Sequence, residues 1–571
     1  MAAGRLRSAA AAGASRNPVL PLGVAVAVSA VSGLTLDKAF PDVGIWPLVF
    51  PAIALALLAL DGRKGDSAFL VGLVFGLAFY FPHIEWAAVF LGPLPWSALS
   101  VLMALWCGLG GILITWAYRY VPRIWPGPAA RMALLPAVIA GLWIAREGIA
   151  AVWPYGGFSW GRVAFSQSDS PFSQLFAWLG VSGVGFVVVF LSATAIEVVR
   201  DVGVLLRDAL PDAVGRSEVR ARAGVRWLAV AAVVLGLLAI PAWSALPGNG
   251  PPAGDAGTLR VGAVQGDTKA GYFDPPANFG DNLRGQLAAT VPVLDQDVDV
   301  VVWPEGSSDV NPLAYPEAAA AFTEVSRQAD APLVAGIITA RDQGTTDANG
   351  DEVYRYYNTS TLWHADAGQV DFYDKKHPVP FGEYVPDRWF WRQFAPDLID
   401  LIGREYTPGT TDAVLDVGSH KTGGRSVLAG IAICFDIVDD QLMREMVDQG
   451  AQIVFGQTNN ADFGFTDESV QQLAIARIRA IETGRSVVNI STVGTSAIIY
   501  PDGSVHDQLE WYTPGVMVDD VPLGTTRTPA VVGGRSIEWL VSFGALAVLA
   551  LAAFETRRVR RRSSRTGAGT A

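Results

Sequence analysis

The chain has 571 residues, 51% of them hydrophobic and only 17% charged, with 42 Lys+Arg against 54 Asp+Glu and a net charge of −12. That length allows two or more domains, the scarcity of charge points to a membrane, and the acidic balance argues against nucleic-acid binding, which wants a basic face. The two cysteines, Cys107 and Cys434, lie in different regions, which argues against a structural disulfide.

Apolar runs at about 18–36, 44–60, 68–90, 96–121, 132–152, 174–198, 226–246 and 536–554 give eight candidate spans. Several reach the ~20 residues a helix needs to cross hydrocarbon. The second, WPLVFPAIALALLAL, is short and carries prolines. The first follows a basic start without a small-residue cleavage site and reads as an anchor, not a cleaved leader. Basic residues sort the loops. Arg5, Arg7 and Arg16 precede span one, Arg63 and Lys64 follow span two, and Arg119, Arg123 and Arg131 follow span four. Arg200, Arg207, Arg216, Arg220 and Arg222 follow span six, and the tail runs RRVRRRSSR from Arg557. The positive-inside rule then puts both termini in the cytoplasm, which requires an even number of spans. Residues 247–535 fall outside the cytoplasm and carry 19 Lys+Arg against 40 Asp+Glu, whereas the rest carries 23 against 14. The expected division is a membrane domain over 1–246, an outer domain over 247–535, and a last span with basic tail over 536–571.

A Pro/Gly-rich linker at 246–257, LPGNGPPAGDAG, opens the outer domain. The pattern predicts strands at 259–265, 298–305, 332–339, 356–364, 369–375, 426–434, 451–459, 486–492 and 495–500. Helices are expected near 277–290 and 313–329, from about 437, and over 467–484. Near-continuous apolar strands separated by helices indicate sheets covered by helices.

In such folds reactive side chains gather at the carboxyl ends of strands. VVWPEGSS offers Glu305, FYDKKHPVPFGEYVP offers Lys375 and Glu383, and AICFD offers Cys434 followed by Phe435 and Asp436. A thiol beside an aspartate is a poor nucleophile unless a base takes its proton. Glu305 can be that base, and Lys375 can offset the carboxylates and, with the Phe435 backbone N–H, stabilise an oxyanion. Each motif alone is weak: a cysteine ending a strand is more often core packing, and DKKH is an ordinary charged turn. Their order and flanking strands are more specific together.

The order Glu305, Lys375, Cys434 on these motifs resembles the nitrilase superfamily. YDKKHPVPFGEYVP with eight membrane spans resembles its membrane-embedded branch, the apolipoprotein N-acyltransferase family. The likeness extends to VQGD (264–267), WPEGS (303–307), TNNADFG (458–464), the 472–503 stretch and the aromatic loop WPYGGFSWGRVAFSQ (153–167). It implies a polytopic α-helical membrane domain plus an extracytoplasmic α/β αββα sandwich, in a multi-pass protein of the bacterial inner membrane. It also implies a ping-pong acyl transfer through a thioester on Cys434. The acyl donor would be a phospholipid and the acceptor the α-amino group of a diacylglyceryl-cysteine on a lipoprotein. The motif's Tyr-x-Lys-x-His spacing selects Lys375 over Lys376. Glu383, Phe435 and Asp436 would hold Lys375 or position substrate. Departures from the family pattern are Pro378 for Leu, Phe435-Asp436 for Tyr-Glu, Tyr272 or Phe273 in place of a tryptophan after VQG, and no aromatic at Asp462. They bear on substrate preference.

The stretch 384–403 holds Trp389, Phe390, Trp391 and Phe394 and reads either as a covered helix or as an arm at the bilayer surface. Arg146 and Glu147 in span five suggest an internal pair. His83, His364, His377, His420 and His506 show no metal-ligand spacing and no phosphate loop is seen, so neither metal nor cofactor is expected. The basic tail leaves room for association with another membrane enzyme. The rival readings are a membrane-tethered amidase using the same three residues, and a transporter or scaffold with an inert outer domain.

Overall fold

The computed structural model describes residues 17–127, 129–208, 254–268, 278–346 and 352–567, with isolated positions between 224 and 239. The expected seventh span at 226–246, apart from those positions, and Tyr272 and Phe273 lie outside the described residues. The chain divides into two compact units. One comprises Met1–Glu85, Trp96–Trp243 and Gly533–Ala571; the other comprises Trp86–Pro95 and Ser244–Val532.

Among the described residues five helical stretches are long and apolar enough to cross a membrane: Gly65–His83, Pro93–Ile124, Ala130–Ala150, Ser173–Arg200 and Arg535–Val559. Leu22–Asp37 and Trp46–Leu60 are apolar but shorter. Pro21 and Asp37 bound the first of these, Pro47 and Asp61 the second. The run read as one span over 68–90 is divided. Its helix stops at His83, one residue after Pro82, and Trp86–Leu91 forms a separate helix that belongs to the second unit. Another helix bends at Gly180, whose φ of 63° and ψ of −177° interrupt the helical ladder.

Small residues let these helices approach closely, as at Gly76, where a Cβ would stand 2.9 Å from the side chains of Ala104 and Cys107. Arg146 and Glu147 form a buried internal pair at 3.1 Å. Arg146 also donates to Cys107 Sγ at 2.8 Å, and Glu147 Oε1 accepts from Trp143 Nε1 and the Val163 N–H. The pair ties its helix to the short 3₁₀ turn Val163–Gln167 in the aromatic loop.

Among the described residues the second unit holds two six-stranded sheets. The strands in chain order are β1 (Thr258–Gln265), β2 (Val300–Val302), β3 (Leu333–Thr346), β4 (Glu352–His364), β5 (Gly368–Asp374), β6 (Val414–Asp416), β7 (Leu428–Ile433), β8 (Ile453–Thr458), β9 (Ser486–Ser491), β10 (Ala497–Ile499), β11 (Val505–Gln508) and β12 (Gly515–Pro522). The sheet orders are β12-β1-β2-β3-β4-β5 and β11-β10-β9-β8-β7-β6. In each, three central strands run parallel and the flanking strands antiparallel. The helices Asp281–Thr290 and Pro316–Ala329 cover the first sheet through Leu283, Phe322 and Val325, which pack with Val264, Val301 and Trp303. Asp440–Asp448 and Glu468–Thr483 pack on β7 and β9 of the second. The sheets meet through β1 and β9, and buried polar bridges cross between them. Gln457 Nε2 donates to the Trp303 carbonyl at 2.6 Å and Ser496 Oγ to Gln265 Oε1 at 2.6 Å. β2, β8 and β9 are fully buried, which suits the apolar VVV, IVF and VV they carry.

Candidate functional site

Three strand ends supply the site. Glu305 follows β2 after Trp303 and Pro304, Lys375 follows β5 directly, and Cys434 follows β7 directly. Two close approaches brace the first pair. A Cβ on Gly336 of β3 would stand 2.6 Å from Glu305 Cα, so only glycine lets the Glu305 turn close down. The Gly409 N–H donates to the Lys375 carbonyl at 2.9 Å. Beside Lys375, Asp374 is fixed by Thr359 at 2.7 Å and by Arg341, whose guanidinium lies against the Tyr357 and Phe372 rings.

Cys434 has a φ of 51°, in the left-handed region that a non-glycine residue enters at a cost. The strand turns abruptly there into the 3₁₀ segment Cys434–Val438, which leaves the side chain deep in the protein yet still partly accessible. Asp436 holds the elbow: its Oδ2 accepts from the Ile433 N–H at 3.1 Å and from Tyr373 Oη at 3.0 Å. Burial, countered by Lys375 and these donors, leaves the Asp436 carboxyl pushed up to about 6. It therefore braces the backbone on either side of the thiol. Phe435, next to the thiol, is half-buried.

Lys375 is only 1% exposed and its Nζ pairs with Glu383 Oε2 at 2.8 Å. The 379–384 turn makes this possible, because Glu383 Oε2 also accepts the Val379 N–H at 2.6 Å. Asn358 of β4 donates from Nδ2 to Glu305 Oε1 at 2.6 Å and to Glu383 Oε1 at 3.1 Å, joining the two glutamates. Glu305 Oε2 is buried and has no hydrogen-bond partner among the described residues. Lys376, by contrast, reaches Glu445 at 3.4 Å.

The electrostatics follow from this packing. Burial pushes the Glu305 carboxyl up to about 7, with Lys375 opposing and Glu383 adding to the shift. Burial disfavours the Lys375 ammonium, but Glu383, Cys434 and Glu305 outweigh it and hold its pKa above the ordinary value. Cys434 is held well above an ordinary thiol, first by burial, then by Glu305, against the pull of Lys375. At neutral pH the site thus contains a thiol, an ammonium and a carboxyl poised to gain or lose a proton. Glu305 and Lys375 shift each other and both shift Cys434, which in turn shifts Lys375, so the structure gathers all three, with Glu383, into one site.

The 384–403 stretch folds into two short helices, Arg388–Trp391 and Pro396–Ile399. Arg388 pairs with Glu405 and Asp400 and caps the Ile399 carbonyl, and Arg392 pairs with Asp400. Trp389 and Phe394 point outward, 72% and 71% exposed, and Phe390 is also exposed. Trp391, grouped with these three in the sequence reading, points the other way. Its ring turns inward onto Phe381, beside Val385, Ile399 and Ile402. Residues two apart on a helical turn cannot share a face.

Several side chains here carried no assigned role in the sequence reading: Asn358, Asn460, Glu468 and Gln472. Asn358 had a signal, a lone amide among the buried residues of a strand entering the site. Asn460 lies in a stretch noted only for resemblance, and Glu468 and Gln472 lie in the helix expected over 467–484. Trp86 and Phe90, read as part of a span, instead pack their rings against Phe463, next to this group. Among the described residues no three His, Cys, Asp or Glu side chains are grouped as a metal site needs.

A family model for the apolipoprotein N-acyltransferase N-terminal domain matches residues 32–194, and one for carbon-nitrogen hydrolases matches residues 260–529. An apolipoprotein N-acyltransferase of Mycolicibacterium smegmatis is 32% identical over 94% of this chain and 87% of its own. One of Geobacter metallireducens is 25% identical over 92% of this chain and 94% of its own. Among solved structures, an amidase from Nesterenkonia sp. aligns with 17% identity and a TM-score of 0.33, over 49% of this chain and 94% of that one. With both family models matched in order and a relative 32% identical over 94% of the chain, this bacterial membrane protein belongs to the apolipoprotein N-acyltransferase family.

Proposed function

We propose that this acyltransferase moves an acyl chain from a membrane phospholipid to the α-amino group of a lipoprotein's N-terminal diacylglyceryl-cysteine, with Cys434 as nucleophile, Glu305 as base and Lys375 as electrostatic stabiliser. The observation that carries the reading is Cys434 on a left-handed elbow, coupled to a buried base with an unpaired oxygen and to a buried ammonium. A preformed thiolate is not required, and burial opposes one. Cys434 Sγ attacks the ester carbonyl carbon as Glu305 Oε2 takes the thiol proton. The oxyanion forms between Lys375 Nζ and the Phe435 N–H. The carbon–oxygen bond then breaks, the lysophospholipid alkoxide leaves with the proton from Glu305, and a thioester remains. In the second half the acceptor amine attacks the thioester and gives a proton to Glu305. The carbon–sulfur bond breaks, the amide departs, and the sulfur recovers its proton from Glu305. Glu383 holds Lys375 in place through its ion pair.

On this reading the protein spans the bacterial inner membrane eight times, with residues 247–535 on the extracytoplasmic face and both termini in the cytoplasm. Its basic loops and acidic outer segment support that orientation. The arm carrying Trp389, Phe390 and Phe394 rests at the bilayer surface and guides acyl chains, while the basic tail offers a place for another membrane enzyme. The test is mass spectrometry of a lipoprotein N-terminus in cells carrying the native gene or Cys434→Ala. The native gene adds an amide-linked acyl chain and the variant does not. An acylated N-terminus made by Cys434→Ala alone overturns the assignment.

A further inference from the structure

The helix Glu468–Thr483 carries a buried polar chain into the site. Gln472 Nε2 points at Cys434 Sγ from 4.0 Å, the outer reach of an N–H···S contact. The direction of that amide is fixed by its neighbours. Asn460 Oδ1 accepts from Thr458 Oγ1 at 3.0 Å and from Ser491 Oγ, a hydroxyl that itself receives the Gly494 N–H at 3.2 Å. With its oxygen occupied by donors, Asn460 turns both Nδ2 hydrogens the other way, to Glu468 Oε2 at 2.6 Å and Gln472 Oε1 at 3.0 Å. Once Gln472 Oε1 is an acceptor, its NH₂ end is committed to the sulfur. Thr458, Asn460, Glu468, Gln472 and Ser491 are all at most 2% exposed, so bulk water does not compete for these groups.

We propose that Gln472 is a catalytic residue whose amide N–H stabilises the Cys434 sulfur as it takes on negative charge, and that Asn460 and Glu468 are positioning residues that aim it. This deepens the reading above and rests on Cys434 being the nucleophile. When the Cys434 proton passes to Glu305, charge appears on a sulfur that burial and three carboxyl groups disfavour. Lys375 is shared with Glu383, so a second donor on a different element has work left to do. The contact shortens as the sulfur becomes anionic, as catalytic hydrogen bonds commonly do on charging. The same donor helps the sulfur leave when the amine displaces the thioester.

The test uses the full-length protein in vesicles of phosphatidylglycerol and a phosphatidylethanolamine bearing a fluorescent acyl chain. Two rates are read: single-turnover formation of the fluorescent thioester, and alkylation of Cys434 by iodoacetamide from pH 7 to 10, followed on its own peptide. Gln472→Met keeps length and loses the donor. Gln472→Asn keeps an amide for Asn460 and withdraws it from the sulfur. Both slow thioester formation about ten-fold and displace the alkylation profile upward by about one pH unit. Asn460→Ala displaces the profile in the same sense without touching the sulfur. A merely structural Gln472 would lower thermal stability in the Met variant and leave the alkylation profile of the Asn variant where it was, and that result overturns the proposal. If Cys434→Ala still acylates the acceptor, the nucleophile assignment fails first; if it is inactive while both Gln472 variants match the native rates, only the role of Gln472 fails.

Discussion

At Cys434 the chain accepts a left-handed backbone in exchange for exposing a sulfur at the end of a buried strand. The three candidate groups could be read in the sequence because each ends an apolar run and folds of this kind gather such ends together. The elbow itself could not, since nothing in AICFD requires a positive φ; Asp436 and its two donors impose it. The aspartate that looked like an electrostatic handicap is spent on backbone geometry, and the leading causes of the raised thiol are burial and Glu305. Asn358 was half legible as a lone amide in its strand; its role comes from β4 carrying it between two glutamates. The state of Glu305 gives a pH dependence. Its carboxyl is raised to about 7, and a base works only when ionised, so thioester formation should decline as pH falls through about 7. Glu305→Gln should lose about 10²–10⁴-fold in rate along with that acid limb. Single-turnover thioester formation between pH 5 and 9 checks both. An unchanged acid limb in the variant would assign it to another group.

Among the elements, the central strands and the four helices described as covering them were legible from hydrophobic pattern, because burial leaves runs of Val, Ile and Ala. β6 and β11 were not. The first is three residues long, and the second is an edge strand reading VHDQ. β12, GVMVDDVP, carries two aspartates, yet it pairs along the whole of β1. The division of the 68–90 run at His83 was announced by Pro82 and by the polar residues after it, but continuous hydropathy masked it. In the 384–403 arm the sequence shows apolar density and the structure shows its sidedness. Trp389→Ser should lower turnover on phospholipid vesicles several-fold and leave the melting temperature unchanged, because that ring contacts no core. Trp391→Ser should destabilise the fold by about 1–3 kcal/mol, since its ring packs on Phe381. Paired melting curves and vesicle assays separate the two, and equal effects on both properties would remove the distinction between an outward and an inward face.

For the molecule entire, charge is the most informative single pattern. The acidic excess of 247–535 and the basic loops elsewhere support the proposed orientation without reference to any atom. The number of crossings is less legible, because length and hydropathy treat a short buried helix and a spanning one alike. The orientation is open to direct labelling. A membrane-impermeant maleimide should modify Ser504→Cys in intact cells and Lys64→Cys only after lysis; the reverse order would invert the topology.

Glu305 and Lys375 belong to one sheet and Cys434 to the other. A slide of one sheet over its partner by a single residue, about 3.3 Å, would part Glu305 from the Cys434 sulfur while most of the interface stayed covered. Acyl transfer therefore reports on the alignment of the two halves far more sharply than any melting curve. Variants at the crossing bridges, Gln457 to Trp303 and Ser496 to Gln265, fall where the fold can survive and the chemistry cannot.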